Sequence, residues 1–140
     1  MAINISFDSI EVGQELPEFT RKTDFDNWNR FAAVNDEFIS MHMDDEMARA
    51  MGQLGAIGMG NLRWTYLLNA LRDWAGDEAE IVNMNVQFRG TNLKNDVLRT
   101  RAVIAEKKTE NGRNLVTLDI DVLNQNDEAT TPAKAAIAFS

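Results

Sequence analysis

The chain has no cysteine and a single histidine among its 140 residues. The first absence excludes disulfides, thiolate metal centres and a cysteine nucleophile. The second excludes zinc held by several imidazoles and puts any imidazole chemistry on His42. Proline is scarce, at Pro17 and Pro132, and no linker, repeat or low-complexity segment divides the chain. No apolar run approaches the about 18 residues needed to cross a bilayer. The opening MAINISFDSIEVG lacks the basic and apolar regions of a secretory signal, so a cytoplasmic protein away from membranes is expected. Positive charge is also short, at 14 Lys and Arg against 22 Asp and Glu. The resulting net charge of −8 argues against nucleic acid as a partner.

The charge that is present is uneven. Residues 89–113 hold seven cations, Arg89, Lys94, Arg99, Arg101, Lys107, Lys108 and Arg113, against three acids. A positive stretch on an acidic protein would attract a small phosphorylated anion, although a solvated strand face and hairpin tip accounts for it equally well. The ligand set is poor in histidine and cysteine, so no metal is expected.

A length of 140 residues and 44% hydrophobic content suit one α+β domain over residues 1–140, with a core that needs no staples. Glu15 to Lys22 reads as a short strand. Thr23 or Asp24 then caps a helix over 25–35 with an apolar stripe of Phe25, Trp28, Phe31 and Ala32. Residues 36–43 read as irregular. Asp44 or Asp45 caps a short helix whose Met43, Met47 and Met51 fall at core spacing, and Gly52 stops it. Met59 to Ala75 is the longest helical pattern. It is apolar nearly all round, the mark of a buried helix.

The period then changes to two. Val82, Met84, Val86 and Phe88 alternate with polar residues. Val97–Ala105 and Val116–Val122 follow, joined at Asn111-Gly112, a strong hairpin signal, and Ala133–Phe139 closes the chain. About five antiparallel strands and one buried helix leave a hotdog arrangement, in which the sheet wraps the helix. A single such sheet has free edges, so dimerisation edge to edge is expected.

Phe31 to Leu62 concentrates the chemistry. Glu37 lies five residues before His42, and the glycines Gly52, Gly55, Gly58 and Gly60 lead into the long helix. A carboxylate, an imidazole and a helix N-terminus are parts for acid–base chemistry on a carbonyl compound.

These same residues carry a family resemblance. FDSIEVGQELPEF, FAAVNDEFISMHMDDEMARAMG, GQLGAIGMGNL and TTPAKAAIAF, taken in order, resemble the MaoC-like, (R)-specific enoyl-CoA hydratase family over nearly the whole chain. The family pattern Ser/Thr-Gly-Asp-x-Asn-Pro-x-His-x-Asp falls on residues 35–44, with Glu37 at the catalytic aspartate, Ile39 at the asparagine, Ser40 at the proline, and His42 and Asp44 kept. At the helix entry Met59 stands where the family has histidine, and Gly60 is kept.

The resemblance implies reversible addition of water across the 2,3-double bond of a trans-2-enoyl-CoA. Glu37 and His42 would move the protons and the Gly60 N–H would stabilise the thioester oxyanion. Asp36 is a second candidate carboxylate. It joins Ile39, Ser40, Ile57, Met59, Arg63, Trp64 and Arg89 as the expected substrate-binding set, with Leu67 and Leu68 beside the acyl group and Arg99 and Arg101 as further partners for the nucleotide phosphates. The CoA thioester is substrate, and no cofactor is implied. Two alternatives stand beside this reading. One is a non-catalytic, pocket-forming subunit of a heteromer, in place of a homodimer. The other is a hotdog thioesterase, disfavoured because Asp73, toward the far end of the helix, is the only acid in 63–75.

Overall fold

The computed structural model describes residues 5–140. After a 3-10 turn at Phe7–Ser9 come β1 (Phe19–Lys22), α1 (Phe25–Asn35), α2 (Ser40–Met43), α3 (Asp45–Ala50) and α4 (Gly60–Ala75). Then follow β2 (Glu80–Val86), β3 (Val97–Glu110), β4 (Arg113–Leu123) and β5 (Ala133–Phe139). The strands form one antiparallel sheet in the order β1-β3-β4-β5-β2. One face of that sheet packs on α4, which is the expected hotdog arrangement. No helix among the described residues is long and apolar enough to cross a membrane.

Alternation builds the core. Leu98, Ala102 and Ile104 of β3, Val116, Leu118, Ile120 and Val122 of β4, and Ala133, Ala135 and Ile137 of β5 are all buried. They share one cluster with Leu62, Tyr66, Leu67, Ala70, Leu71 and Trp74 of α4. Trp74 meets the Phe139 ring edge-on at 5.8 Å between centroids. α1 starts in a capping box, in which Asp24 accepts from the Asn27 N–H and Asn27 accepts from the Asp24 N–H. It seats Trp28 and Ala32 in the core. Asp44 caps α3 by accepting from the Glu46 and Met47 N–H groups.

Several boundaries differ from the sequence reading for identifiable reasons. Glu15 makes only an isolated bridge to Val103, and the ladder starts at Phe19, because Pro17 has no N–H to pair. A register shift between Ile81 and Asn83 leaves Val82 outside the alternation, so Ile81, Met84 and Val86 face the core and Phe88 lies beyond the strand. β3 runs on past Ala105 to Glu110, its polar end held by the pairing around Asn111-Gly112, both residues at positive φ. The stretch 36–43 is not wholly irregular, since Ser40–Met43 forms one helical turn. Of the methionine stripe only Met43 packs against the core. Met47 and Met51 are exposed, because α3 is a short outer helix that buries only Ala48.

On α4 the face bearing Asn61 and Trp64 is open, with Trp64 43% exposed, while Arg63 is buried. Leu67, on the side turned into the core, is fully buried. Leu67→Ala is expected to cost about 2–5 kcal/mol in urea unfolding, whereas Val34→Ala, at a position 85% exposed, should stay within about 0.5 kcal/mol.

Candidate active site

The end of α1 aims the first carboxylate. Asp36 ends the helix in the left-handed region, at φ 53, and both its N–H and that of Glu37 donate to the Ala32 carbonyl. A positive φ at a non-glycine residue is a strained choice, tolerated best by Asp and Asn. It turns the chain sharply and brings Glu37 to the start of α4, where its Oε2 accepts from Asn61 Nδ2 at 3.3 Å.

The single turn of α2 carries His42, 8% exposed. Its Nδ1 lies 2.7 Å from the Ile57 carbonyl oxygen. A carbonyl only accepts, so Nδ1 carries a proton and donates it to Ile57, which leaves Nε2 as the other ring nitrogen for proton exchange. The ring therefore has a fixed tautomer and a fixed direction. Ile57 is itself pinned, with its N–H donating to the Met41 carbonyl and the residue bridging Leu93.

The glycines after Ile57 allow close approach. The Gly58 N–H donates to the Asn92 carbonyl at 2.8 Å, and a Cβ on Gly58 would overlap the Asn92 carboxamide. Gly60 opens α4 against the face of Phe88, where an added Cβ would sit 3.2 Å from the ring. Met59, the N-cap, supplies no side-chain acceptor, and the first turn holds no acid. The leading N–H groups of α4 thus combine the positive end of the helix dipole with donors that have no partner among the described residues.

A cleft of about 510 Å³ runs along this face, lined by Phe31, Asn35, Asp36, Glu37, Asn61, Trp64, Thr65 and Leu68. A smaller cleft of about 280 Å³ lies on the far side of Asn61 and Trp64, against Met84, Asn85, Val86 and Phe88. The structure therefore gathers Asp36, Glu37, Trp64 and Leu68 about one space. Ile39 and Ser40 are exposed just before His42, while Ile57, Met59 and Leu67 lie in the interior.

The expected phosphate contacts separate. Arg63 is only 4% exposed, and burial pushes its guanidinium below the usual range. Its Nη1 donates to the Gly90 carbonyl and the Thr131 hydroxyl, so it braces two loops and presents nothing to a phosphate. Arg99 pairs with Asp127 and Glu18, and Arg101 with Glu15. Arg89 is exposed, held by the Gln87 carboxamide and without a carboxylate partner among the described residues. Asp73 is exposed, toward the far end of α4.

Sequence reading missed Asn61, Phe88 and Asn92. Asn61 had one signal available, as a polar side chain directly after the glycine that opens the long helix. Phe88 and Asn92 had none, because their contacts with Gly60 and Gly58 close only in three dimensions.

No family model and no curated protein matches the chain. Solved structures do. The chain is similar to the unliganded R-hydratase PhaJ1 from Pseudomonas aeruginosa at 24% identity, over 96% of this chain and 84% of that one, with a TM-score of 0.86. It is also similar to the (R)-hydratase from A. caviae involved in PHA biosynthesis, at 17% identity, over 94% and 98% of the two chains, with a TM-score of 0.85. A third is the ChsH1-ChsH2 complex from Mycobacterium tuberculosis, at 19% identity, over 93% and 98%, with a TM-score of 0.81. MaoC-like dehydratases also appear among these structural neighbours. At these identities the likeness shows the hotdog fold.

One clamp near the site is titratable. Asp45 accepts from the Ala56 N–H and pairs with Lys94, and the Lys94 hydrogen bond above all holds its carboxyl below the usual carboxylate range. A depressed folded value stabilises the protein fully above the unfolded carboxyl's pKa, and that stabilisation is lost as pH falls through the folded value. Asp45→Asn should therefore lower the urea midpoint at neutral pH, with the gap to wild type closing below about pH 4.

Proposed function

We propose that the chain is an enoyl-CoA hydratase that adds water reversibly across the 2,3-double bond of a trans-2-enoyl-CoA. The observation that carries this reading is the buried His42, whose Nδ1 is committed to the Ile57 carbonyl and whose Nε2 is left to exchange a proton. The likeness of fold to (R)-hydratases supports it.

Glu37 and His42 share the water. One takes its proton as oxygen attacks C3, and a proton is delivered to C2. Electrons move onto the thioester oxygen as the enolate forms. The Gly60 N–H at the uncapped start of α4 meets that charge, with the helix dipole aligned to favour it. The absence of a Cβ at Gly60 lets the thioester come close to the backbone. Trp64 and Leu68 supply the apolar wall for the acyl group, and Asp36, Ile39 and Ser40 shape the approach to the catalytic pair. Arg89 is the exposed cation left for the nucleotide phosphates. Two copies pair edge to edge along β2, whose outer edge is unpaired among the described residues.

A second reading draws on one observation, the similarity to a complex of two differently named proteins. In it the chain is a pocket-forming subunit that awaits a catalytic partner.

Loss of enoyl absorbance with crotonyl-CoA and bulkier trans-2-enoyl-CoAs tests both. The purified chain should turn over at least one of them, and Glu37→Gln and His42→Ala should each lower kcat by about a hundredfold or more. Variants as active as wild type would refute the acid–base assignment. An inert wild-type chain that still binds CoA esters would favour the pocket-forming subunit. Sedimentation equilibrium at low micromolar concentration should give a dimer, and a stable monomer would exclude edge-to-edge pairing.

A further inference from the structure

Asn61 stands where the parts of the candidate site meet, and nothing in the mechanism above uses it. It occupies the second position of α4, one residue after Gly60. It lines both clefts. Its side-chain amide donates to Glu37 Oε2 at 3.3 Å, joining α4 to the loop after α1 across 24 residues of sequence. Asparagine is a poor residue within a helix. Here it does not cap its own helix either, since Met59 is the N-cap and no side-chain cap bond is made. The bond to Glu37 is what its side chain does.

From this we propose that Asn61 is the positioning residue for the Glu37 carboxylate, holding it at the mouth of the α4 N-terminus in the orientation that proton transfer requires. This rests on the hydratase reading of the same site. A glutamate arm has three side-chain torsions and reaches into an open cleft, so without a fixed partner it samples many positions. An ionised carboxylate only accepts, so the Asn61 amide must turn its NH2 toward Glu37. The Thr65 hydroxyl bonds the Asn61 backbone carbonyl at 3.0 Å and leaves the carboxamide to Glu37. In the free chain this bond is exposed to solvent. An acyl group filling the cleft would exclude water from it and strengthen it when the geometry matters.

The test uses the full chain. Asn61→Leu removes the donor at similar size and with better helix propensity, and Asn61→Asp places a second carboxylate against Glu37. The expected result is a kcat about tenfold to a hundredfold lower in Asn61→Leu and lower still in Asn61→Asp. KM should stay within about twofold, and the melting temperature of Asn61→Leu should be no lower than that of wild type. A readout free of activity is the Asn61 side-chain amide resonance in 15N-asparagine-labelled protein, which should shift in Glu37→Leu. An unmoved resonance would overturn the inference. So would an Asn61→Leu variant with wild-type kcat beside a dead Glu37→Gln, or one whose kcat and KM worsen together with its melting temperature. A fully active Glu37→Gln, or an inert wild-type chain, would remove the hydratase reading and this inference with it, whatever the resonances show.

Discussion

The site depends on the way Ile57 is held. Its N–H and C=O are both taken by α2, the first through the Met41 carbonyl and the second through the His42 ring. Its neighbour Gly58 is tied to Asn92 on the opposite side. Three elements that would otherwise move independently are thereby locked: the single turn of α2, the segment at 92–93 and the entry to α4. Four residues of helix cannot hold a histidine in place alone, because so short a helix is not stable in isolation. The backbone of Ile57 does it instead, and the same contacts set where α4 begins.

That entry is built against ordinary stability rules. α4 has no N-cap side chain and no acid in its first turn, although an N-cap acceptor is commonly worth about 1 kcal/mol. Its first turn also buries an arginine, where a cation opposes the helix dipole. Arg63 is tolerated because Gly90 and Thr131 accept from its Nη1 and the Phe88 ring lies 5.4 Å away. Its Nε, buried, still finds no partner among the described residues. Local rules broken together at one helix end mark it as a candidate functional position.

Much of this was legible in the chain itself. The hotdog arrangement followed from one apolar helix and strands of period two. His42 stood out as the single histidine and Gly60 among the glycines before the helix, while the roles given to Glu37 and Gly60 are those the family resemblance implies. What escaped was whatever depends on a neighbour remote in sequence. Val82 carries the right residue type for the core, but a bulge removes it from the alternation. The methionines at 43, 47 and 51 have core spacing, yet α3 is too short and too far out to bury them all. Arg63 reads as a phosphate ligand until the loops at 90 and 131 are seen to enclose it.

The cations of 89–113 carry a further consequence. Lys94, Arg99, Arg101, Lys108 and Arg113 each meet a carboxylate, and Lys107 is spent on the carbonyls of Asp8 and Ile10. Five of the seven cations in the positive stretch are thus paired, leaving Arg89 and Lys107 without a carboxylate among the described residues, and the molecule as a whole is an anion of net charge −8. At long range that charge repels anions of any kind, and the reach of the repulsion shortens as ionic strength rises.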